Sequence, residues 1–441
     1  MKIFLISPSS GVDRETPRGL ALSPLALHVL AGLTSPEHEI KIIDEELELA
    51  DTNEACDVVG ISCHTANVSR SYELAGMFRQ RGIPVVLGGI HPTVLPEESI
   101  QHCDAVVMGE AENVWAGVLG DIEKGKLKRF YKGTYPDLKE FISLKTRKPK
   151  LSQAFGVIPV ETSRGCPYYC NFCAVPVHYG RKQRHKPVEH VVRDLIESGA
   201  RKVFFVDDNI MGNPGYAREF LKEIAPLKIK WAAQSSIKVV QKNPDLLRLA
   251  KDAGCLGIFF GIESVANSSV KPLKKNIADK QGLIDAIKMV RDSGICFISG
   301  MIFGFDEDTE AVFDEALEFV YKNKIFFPTF SYLMPYPGTD LFTQLSKEKR
   351  ILSTNWDDYN VNWGRVVFKP KNFSAEKLHE ETLRVKIEST KLSSILGKLP
   401  SQTSHAVYYM ILNYGYHLQA KEVQKHNVKI GLKNIVIPGT F

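Results

Sequence analysis

The chain has 441 residues, 44% hydrophobic and 24% charged, with a formal net charge of +5. That is length for two or three domains with ample cores, and the even composition excludes fibrous, low-complexity and disulfide-framework classes. The charge excess is local. Residues 371–441 hold ten Lys/Arg against five Asp/Glu, so the remainder is neutral and offers no basic stripe for nucleic acid.

The first residues, Met1-Lys2-Ile3-Phe4-Leu5-Ile6-Ser7-Pro8, form a short strand pattern without the apolar length or cleavage site of a signal peptide. No window reaches the run of about eighteen apolar residues that a spanning helix needs. Short buried strands are expected at residues 2–7, 39–44, 58–64, 84–89 and 105–109, with amphipathic helices at 24–33 and 68–80. Such alternation predicts a doubly wound parallel sheet over 1–124, with its ligand at the carboxyl ends of the strands. Two stretches stand at those ends: Gly88-Gly89-Ile90-His91-Pro92-Thr93, and Gly109-Glu110-Ala111-Glu112. A glycine pair there lets the backbone approach a large flat or phosphate-bearing ligand. Residues 125–155, charged and weakly periodic over 125–153, read as a linker.

A second alternation fills 156–345. Strands are expected at 157–162, 202–206, 230–235, 256–261, 296–303 and 329–333, with helices at 188–197, 216–224, 244–252, 280–292 and 311–321. Gly199, Gly254 and Gly294 follow three of these helices, where the chain must turn left-handed. Six units predict a partial barrel with its active site at the strand ends. The remainder, 346–441, reads as mainly helical, with helices at 375–396 and 404–425.

After the first barrel strand comes Ser163-Arg164-Gly165-Cys166-Pro167-Tyr168-Tyr169-Cys170-Asn171-Phe172-Cys173. Three thiolates on one loop can hold three irons of a [4Fe–4S] cluster and leave the fourth without a protein ligand. A cluster that only carries electrons takes four cysteines. An open iron can bind a substrate, as a catalytic zinc keeps an open position. The competing reading is a zinc site or three core cysteines. Cys56, Cys63, Cys103, Cys255 and Cys296 are scattered through apolar runs and read as small buried hydrophobes. One cluster is therefore expected, in a reducing cytoplasm.

Cys166-x3-Cys170-x2-Cys173, with Phe172 before the last cysteine, resembles the signature of the radical S-adenosylmethionine (SAM) superfamily. That resemblance implies that the open iron chelates SAM. Three more stretches resemble family motifs at matching strand ends. Asp208 and Asn209 would meet the SAM ammonium, and Glu263 and Ser264 the ribose. Gly300, Ile302, Gly304 and Glu307 stand in a Gly-x-Ile-x-Gly-x-x-Glu pattern near adenine. The N-terminal stretches, with Gly88, Gly89, His91, Thr93 and Glu110, resemble the Rossmann-like cobalamin-binding domain that precedes many radical SAM barrels. The usual cobalt-ligating histidine is missing from Ser7-Pro8-Ser9-Ser10-Gly11-Val12-Asp13, and His91 lies on a later loop. The barrel stretches 203–209 and 259–263 look like the branch containing hopanoid methylases.

The resemblance implies a [4Fe–4S] cluster, SAM and cobalamin as cofactors, and a flavodoxin or ferredoxin as electron donor. It further implies reductive cleavage of SAM to a 5′-deoxyadenosyl radical and methyl transfer to an unactivated carbon. The alternatives are cyclisation, rearrangement or C–C coupling on the same architecture, a cobalamin domain kept only as scaffold, or an iron–sulfur electron carrier. The aromatic and apolar stretch 327–338 suits a hydrophobic small-molecule substrate. The basic run 181–186 reads as a solvated face. Tyr408, Tyr409, Met410, Ile411, Leu412, Tyr414, Tyr416 and Leu418 read as a helix packed on the barrel. The alternative is a membrane-surface helix followed by Lys421 and Lys425, which would favour a lipid substrate.

Overall fold

The computed structural model describes residues 1–10, 22–140, 142, 156–265, 280–360, 364–399 and 406–430. Gly11, Val12 and Asp13 of the histidine-free loop, and much of the stretch read as a linker, lie outside the described residues. Contacts divide the chain into two compact units. One comprises Met1–Tyr169, Cys173–Ala233 and Tyr336–Thr339; the other comprises Cys170–Phe172, Gln234–Pro335 and Asp340–Phe441.

The first unit opens with six strands, β1 (Lys2–Ser7), β2 (Glu39–Asp44), β3 (Val58–Ser62), β4 (Val85–Gly88), β5 (Ala105–Met108) and β6 (Phe130–Lys132). All pair in parallel, in the order β2-β1-β3-β4-β5-β6. Alternate residues of β1 feed two cores. Phe4 and Ile6 pack with Leu74 and Phe78 of α2 (Val68–Gln80), against α1 (Leu25–Leu33) on the opposite face. Ile3 and Leu5 pack with Leu27 of α1 and with Trp115 and Val118 of the helix Trp115–Glu123. Helices on both faces explain why these strands read as continuous apolar runs. β6 is a correction: a strand lies inside the stretch read as a linker. Three residues are too short for a period to show.

The first unit continues with β7 (Val157–Val160), β8 (Ser163–Arg164), α3 (Val175–Tyr179), β9 (Arg184–His185), α4 (Val188–Ser198), β10 (Lys202–Phe205), α5 (Pro214–Ile224) and β11 (Lys230–Ser235), the last two residues of which fall in the second unit. β10 pairs in parallel with β7 and with β11. β8 and β9 form an antiparallel ribbon, Ser163 opposite His185 and Arg164 opposite Arg184, which closes the base of the cysteine segment.

The second unit carries β12 (Cys255–Glu263), α6 (Lys280–Asp292), β13 (Cys296–Phe303), α7 (Ala311–Lys322) and β14 (Phe327–Tyr332). β13 pairs in parallel with both neighbours, so Gly300 stands beside Gly261 and Thr329. The tail adds α8 (Ala375–Ser389), α9 (Leu392–Gly397) and α10 (Ala406–Ile430). The single helix expected over 375–396 is two. The Thr390 hydroxyl donates to the Lys386 carbonyl at 2.6 Å, and Lys391 turns extended before α9 begins. The α/β class, with its N-terminal parallel sheet, barrel strands and C-terminal helices, is otherwise as expected. Gly199, Gly254 and Gly294 all have positive φ.

Candidate functional site

A cavity of about 360 Å³ lies within the first unit, at the carboxyl ends of β3, β4 and β5. One wall is small residues: Gly60, Gly88, Gly89, Gly109 and Ala111. Glu161, Arg164, His178, Tyr179 and Asp208 line it as well. Strand-end crevices of this kind are where open α/β sheets bind ligands. Gly89 is fixed by the chain itself. Its φ is +110°, and a Cβ there would run into the Cys63 carbonyl oxygen. Thr93 ties two strand-end loops: its hydroxyl donates to Gly89 O at 2.7 Å and accepts from Gly109 N at 2.9 Å.

His91 is fully buried and is absent from the cavity lining; its ring nitrogens lie 3.3 Å from Thr65 Oγ1 and 3.3 Å from Glu98 Oε1. The histidine that does line the cavity is His178 on α3, which sequence reasoning missed. Burial, with Arg164 nearby, lowers its pKa to about 4, so the ring is neutral at pH 7. Its Nδ1 is buried without a hydrogen-bond partner among the described residues. Position alone distinguishes it, and no sequence pattern signals that.

Glu110, expected at the cofactor, is held by two arginines. Its Oε2 accepts from Arg164 Nη1 at 2.5 Å, and its Oε1 accepts from Arg184 Nη2. Arg164 also reaches Glu112, and its Nε donates to Glu161 at 2.8 Å. Burial opposes the Glu161 charge, but Lys186, 3.0 Å away, and Arg164 hold its carboxyl down at about 2. These groups form a buried, mutually neutralising set, and Arg164 stands two residues before Cys166.

The sequence pattern points to Asp208 and not to its neighbour Asp207. The Asp207 carboxylate accepts from Thr162 N at 3.0 Å, Thr162 Oγ1 at 2.7 Å and Ser163 Oγ at 2.5 Å. It thereby fixes the end of β7 where the cysteine segment starts. Asp208 lines the cavity. Burial, then the charges of Asp207 and Glu161, push its pKa up to about 7. Asn209 is buried, with its carbonyl accepting from Gln183 Nε2 at 2.9 Å.

In the second unit Glu263 ends β12 with φ +58°, a left-handed conformation costly for a residue with a Cβ, and both it and Ser264 are buried. Gly300 is forced by its neighbour, since a Cβ would strike the ring of Phe259. Ile302 is half-buried on the same strand. Gly304, with φ +104°, and Phe305 donate their amides to Asp308 Oδ2 at 2.8 and 3.0 Å. Phe305 meets the ring of Phe172 at 6.3 Å. Glu307 is exposed while Asp308 beside it is buried, so the loop's structural carboxylate is one position later than the motif suggests.

Cys166 and Cys173 belong to the first unit and Cys170 to the second; all three are half-buried. Among the described residues no three His, Cys, Asp or Glu side chains are gathered closely enough to enclose a metal ion. The donor chemistry still fits an iron–sulfur group: three thiols on one loop, on a turn where Gly165 (φ +86°) leaves no room for a Cβ against Lys182 O, 2.7 Å away. The small-residue wall and neutral His178 likewise fit a large, flat cofactor. The other five cysteines are buried or half-buried, and burial pushes the Cys103 and Cys296 thiols up to about 12.

Residues 160–320 match the Radical SAM superfamily and residues 17–119 match the B12 binding domain. The chain is 30% identical over 426 residues to bacteriochlorophyllide d C-12(1)-methyltransferase of Chlorobaculum tepidum, covering 93% of this chain and 91% of that one. It is 25% identical to the hopanoid C-2 methylase of Rhodopseudomonas palustris, over 78% of this chain and 68% of that one. Its fold matches the radical SAM methyltransferase TsrM of Kitasatospora setae with a TM-score of 0.71 at 13% identity, covering 98% and 100% of the two chains. A B12-binding module ahead of a radical SAM barrel defines a class of enzyme, and this chain belongs to it: it is a member of the cobalamin-dependent radical SAM methyltransferase family. Its cofactors are those of the two matched families: a [4Fe–4S] cluster, SAM and cobalamin.

Proposed function

We propose that this enzyme transfers a methyl group to an unactivated carbon of a hydrophobic substrate, with Cys166, Cys170 and Cys173 as the cluster ligands. When bound, the cluster with SAM supplies a 5′-deoxyadenosyl radical and cobalamin supplies the methyl group. The chain supplies binding, orientation and exclusion of water. The carrying observation is the cavity at the ends of β3–β5, with Asp208 and Arg164 of the barrel segment in its lining. In this reading residues 1–124 hold cobalamin, 125–155 connect, 156–345 hold cluster and SAM, and 346–441 cap the barrel.

Gly88, Gly89, Thr93 and Glu110 shape the cobalamin side, Thr93 by fixing two strand-end loops and Glu110 by fixing Arg164. Asp208 and Asn209 receive the SAM ammonium, with Asp208 acting in its ionised form. Glu263 and Ser264 take the ribose; Gly300, Ile302 and Gly304 form the adenine platform, and Glu307 flanks it. The half-buried ring of Phe259 on Gly300 supports a hydrophobic substrate. So do the substrates in two relatives' names, a bacteriochlorophyllide and a hopanoid. A reducing cytoplasm with a flavodoxin or ferredoxin as electron source completes the reading. The C-terminal region is taken as the part that meets a membrane surface.

The test is anaerobic turnover of the cluster- and cobalamin-loaded enzyme with candidate apolar substrates. S-adenosylhomocysteine should form in step with methylated product. Product formed without it would move the assignment to cyclisation, rearrangement or C–C coupling.

A further inference from the structure

Exposed apolar side chains are concentrated at one end of the chain. Among the described residues fifteen large hydrophobic side chains are exposed, and eight of them fall between Leu392 and Leu418. That concentration marks a surface with a use, since scattered exposed hydrophobes need none. Leu392 and Leu396 of α9 are 62% and 53% exposed. On α10, Val407, Ile411, Tyr414 and Leu418 are exposed at spacings of four, three and four, a single helical stripe.

The opposite side of α10 is apolar too, and is used. Tyr409 is fully buried, its hydroxyl donating to Ile395 O of α9 at 2.7 Å. Tyr416 Oη accepts from Phe330 N at 3.0 Å, so the helix packs on β14 as expected. Over three turns α10 is therefore apolar on both sides. A helix of that kind is covered on both sides. α10 is not a spanning segment, for no described helix is long and apolar enough to cross a membrane.

We propose that the outer faces of α9 and α10 dock on an anionic lipid bilayer. Charge decides the occupant. The stripe runs into exposed Lys421 and Lys425, the latter 3.9 Å from Glu422, and Lys391, paired with Glu388, stands at the start of α9. The whole positive excess of the chain lies in residues 371–441. Lysine is depleted at protein–protein contacts but is favoured beside anionic headgroups. A second copy would bring the same positive charge against itself. The stripe enters the headgroup boundary while the lysines meet phosphate. The proposal rests on the membrane-facing reading of the C-terminal region and not on the methyl-transfer chemistry.

The test is flotation of the full chain with phosphatidylcholine vesicles, with and without phosphatidylglycerol. The protein should float with the anionic vesicles, and less so at high salt. Ile411→Gln and Leu418→Gln, both exposed, should each weaken partitioning on the order of tenfold with an unchanged circular dichroism spectrum. Lys421→Gln and Lys425→Gln should each cost about fivefold on anionic vesicles and little on neutral ones. No flotation of the parent chain would overturn the proposal. So would a concentration-dependent dimer that Ile411→Gln converts to monomer, which would make the face a contact between copies. Methyl transfer to a detergent-dispersed substrate is read in parallel. Its loss with flotation intact sinks the enzymatic reading alone, and the reverse sinks the docking surface alone.

Discussion

Glu110 Oε2 lies 2.5 Å from Arg164 Nη1, with both side chains almost wholly buried. The carboxylate follows β5, and the arginine stands two residues before Cys166. The pair therefore joins the cavity wall to the base of the cysteine segment. Breaking one partner of a buried pair strands the other charge. Glu110→Gln should lower stability by about 3 kcal/mol, at the low end because Glu112 and Glu161 remain for Arg164. Urea unfolding checks this, and the variant should also retain less iron after reconstitution. Unchanged stability would mean that the pair is solvated and idle.

Asp207 gathers three donors from Thr162 and Ser163. Asp207→Asn replaces one accepting oxygen by an amine facing a donor, and should cost about 1–3 kcal/mol. The same variant should leave the far-ultraviolet spectrum intact while weakening cluster incorporation. Equal incorporation in variant and parent would confine Asp207 to fold stability.

Lys386 is buried on α8, and burial lowers its pKa to about 8 from an ordinary value of 10.5. The unfolded chain thus binds this proton more tightly than the folded one between those values. Stability from this group should rise as pH climbs from about 8 to 10.5, and the full burden of about 3 kcal/mol should be present below pH 8. Lys386→Met should raise the melting temperature at pH 7 and flatten the alkaline profile. A profile identical to that of the parent would show the ammonium to be well solvated.

Gly300 and Phe259 form a lock between β13 and β12. Gly300→Ala alone should destabilise by about 1–3 kcal/mol, since its Cβ overlaps the ring. Adding Phe259→Leu should recover much of that loss, giving a favourable coupling in a double-mutant cycle. Additive losses would show that the ring does not oppose the methyl group.

Elements with a clear period were legible in sequence. β1, β2, β11, β13, α2 and α6 begin and end where the pattern does. Those without one were not: β6 is three residues long, and the break after α8 falls at Lys391, where no glycine or proline marks it. The cofactor motifs were visible as strings, but their partners were not. Glu110 and Arg164 are 54 residues apart, and only the parallel sheet and the β8–β9 ribbon bring them together. Asp207 and Asp208 are chemically identical in sequence. Beyond the end of β10, one accepts from Thr162 and the other joins the cavity lining. His178 lacked any motif, while His91 had a suggestive one and is buried elsewhere.

The most direct measurement is anaerobic 5′-deoxyadenosine formation from SAM by the reduced, iron–sulfur-reconstituted chain, run beside Cys170→Ala. The parent chain should form 5′-deoxyadenosine, and the variant none above background. Equal formation by both, or none by a parent chain carrying a full cluster, would contradict this reading.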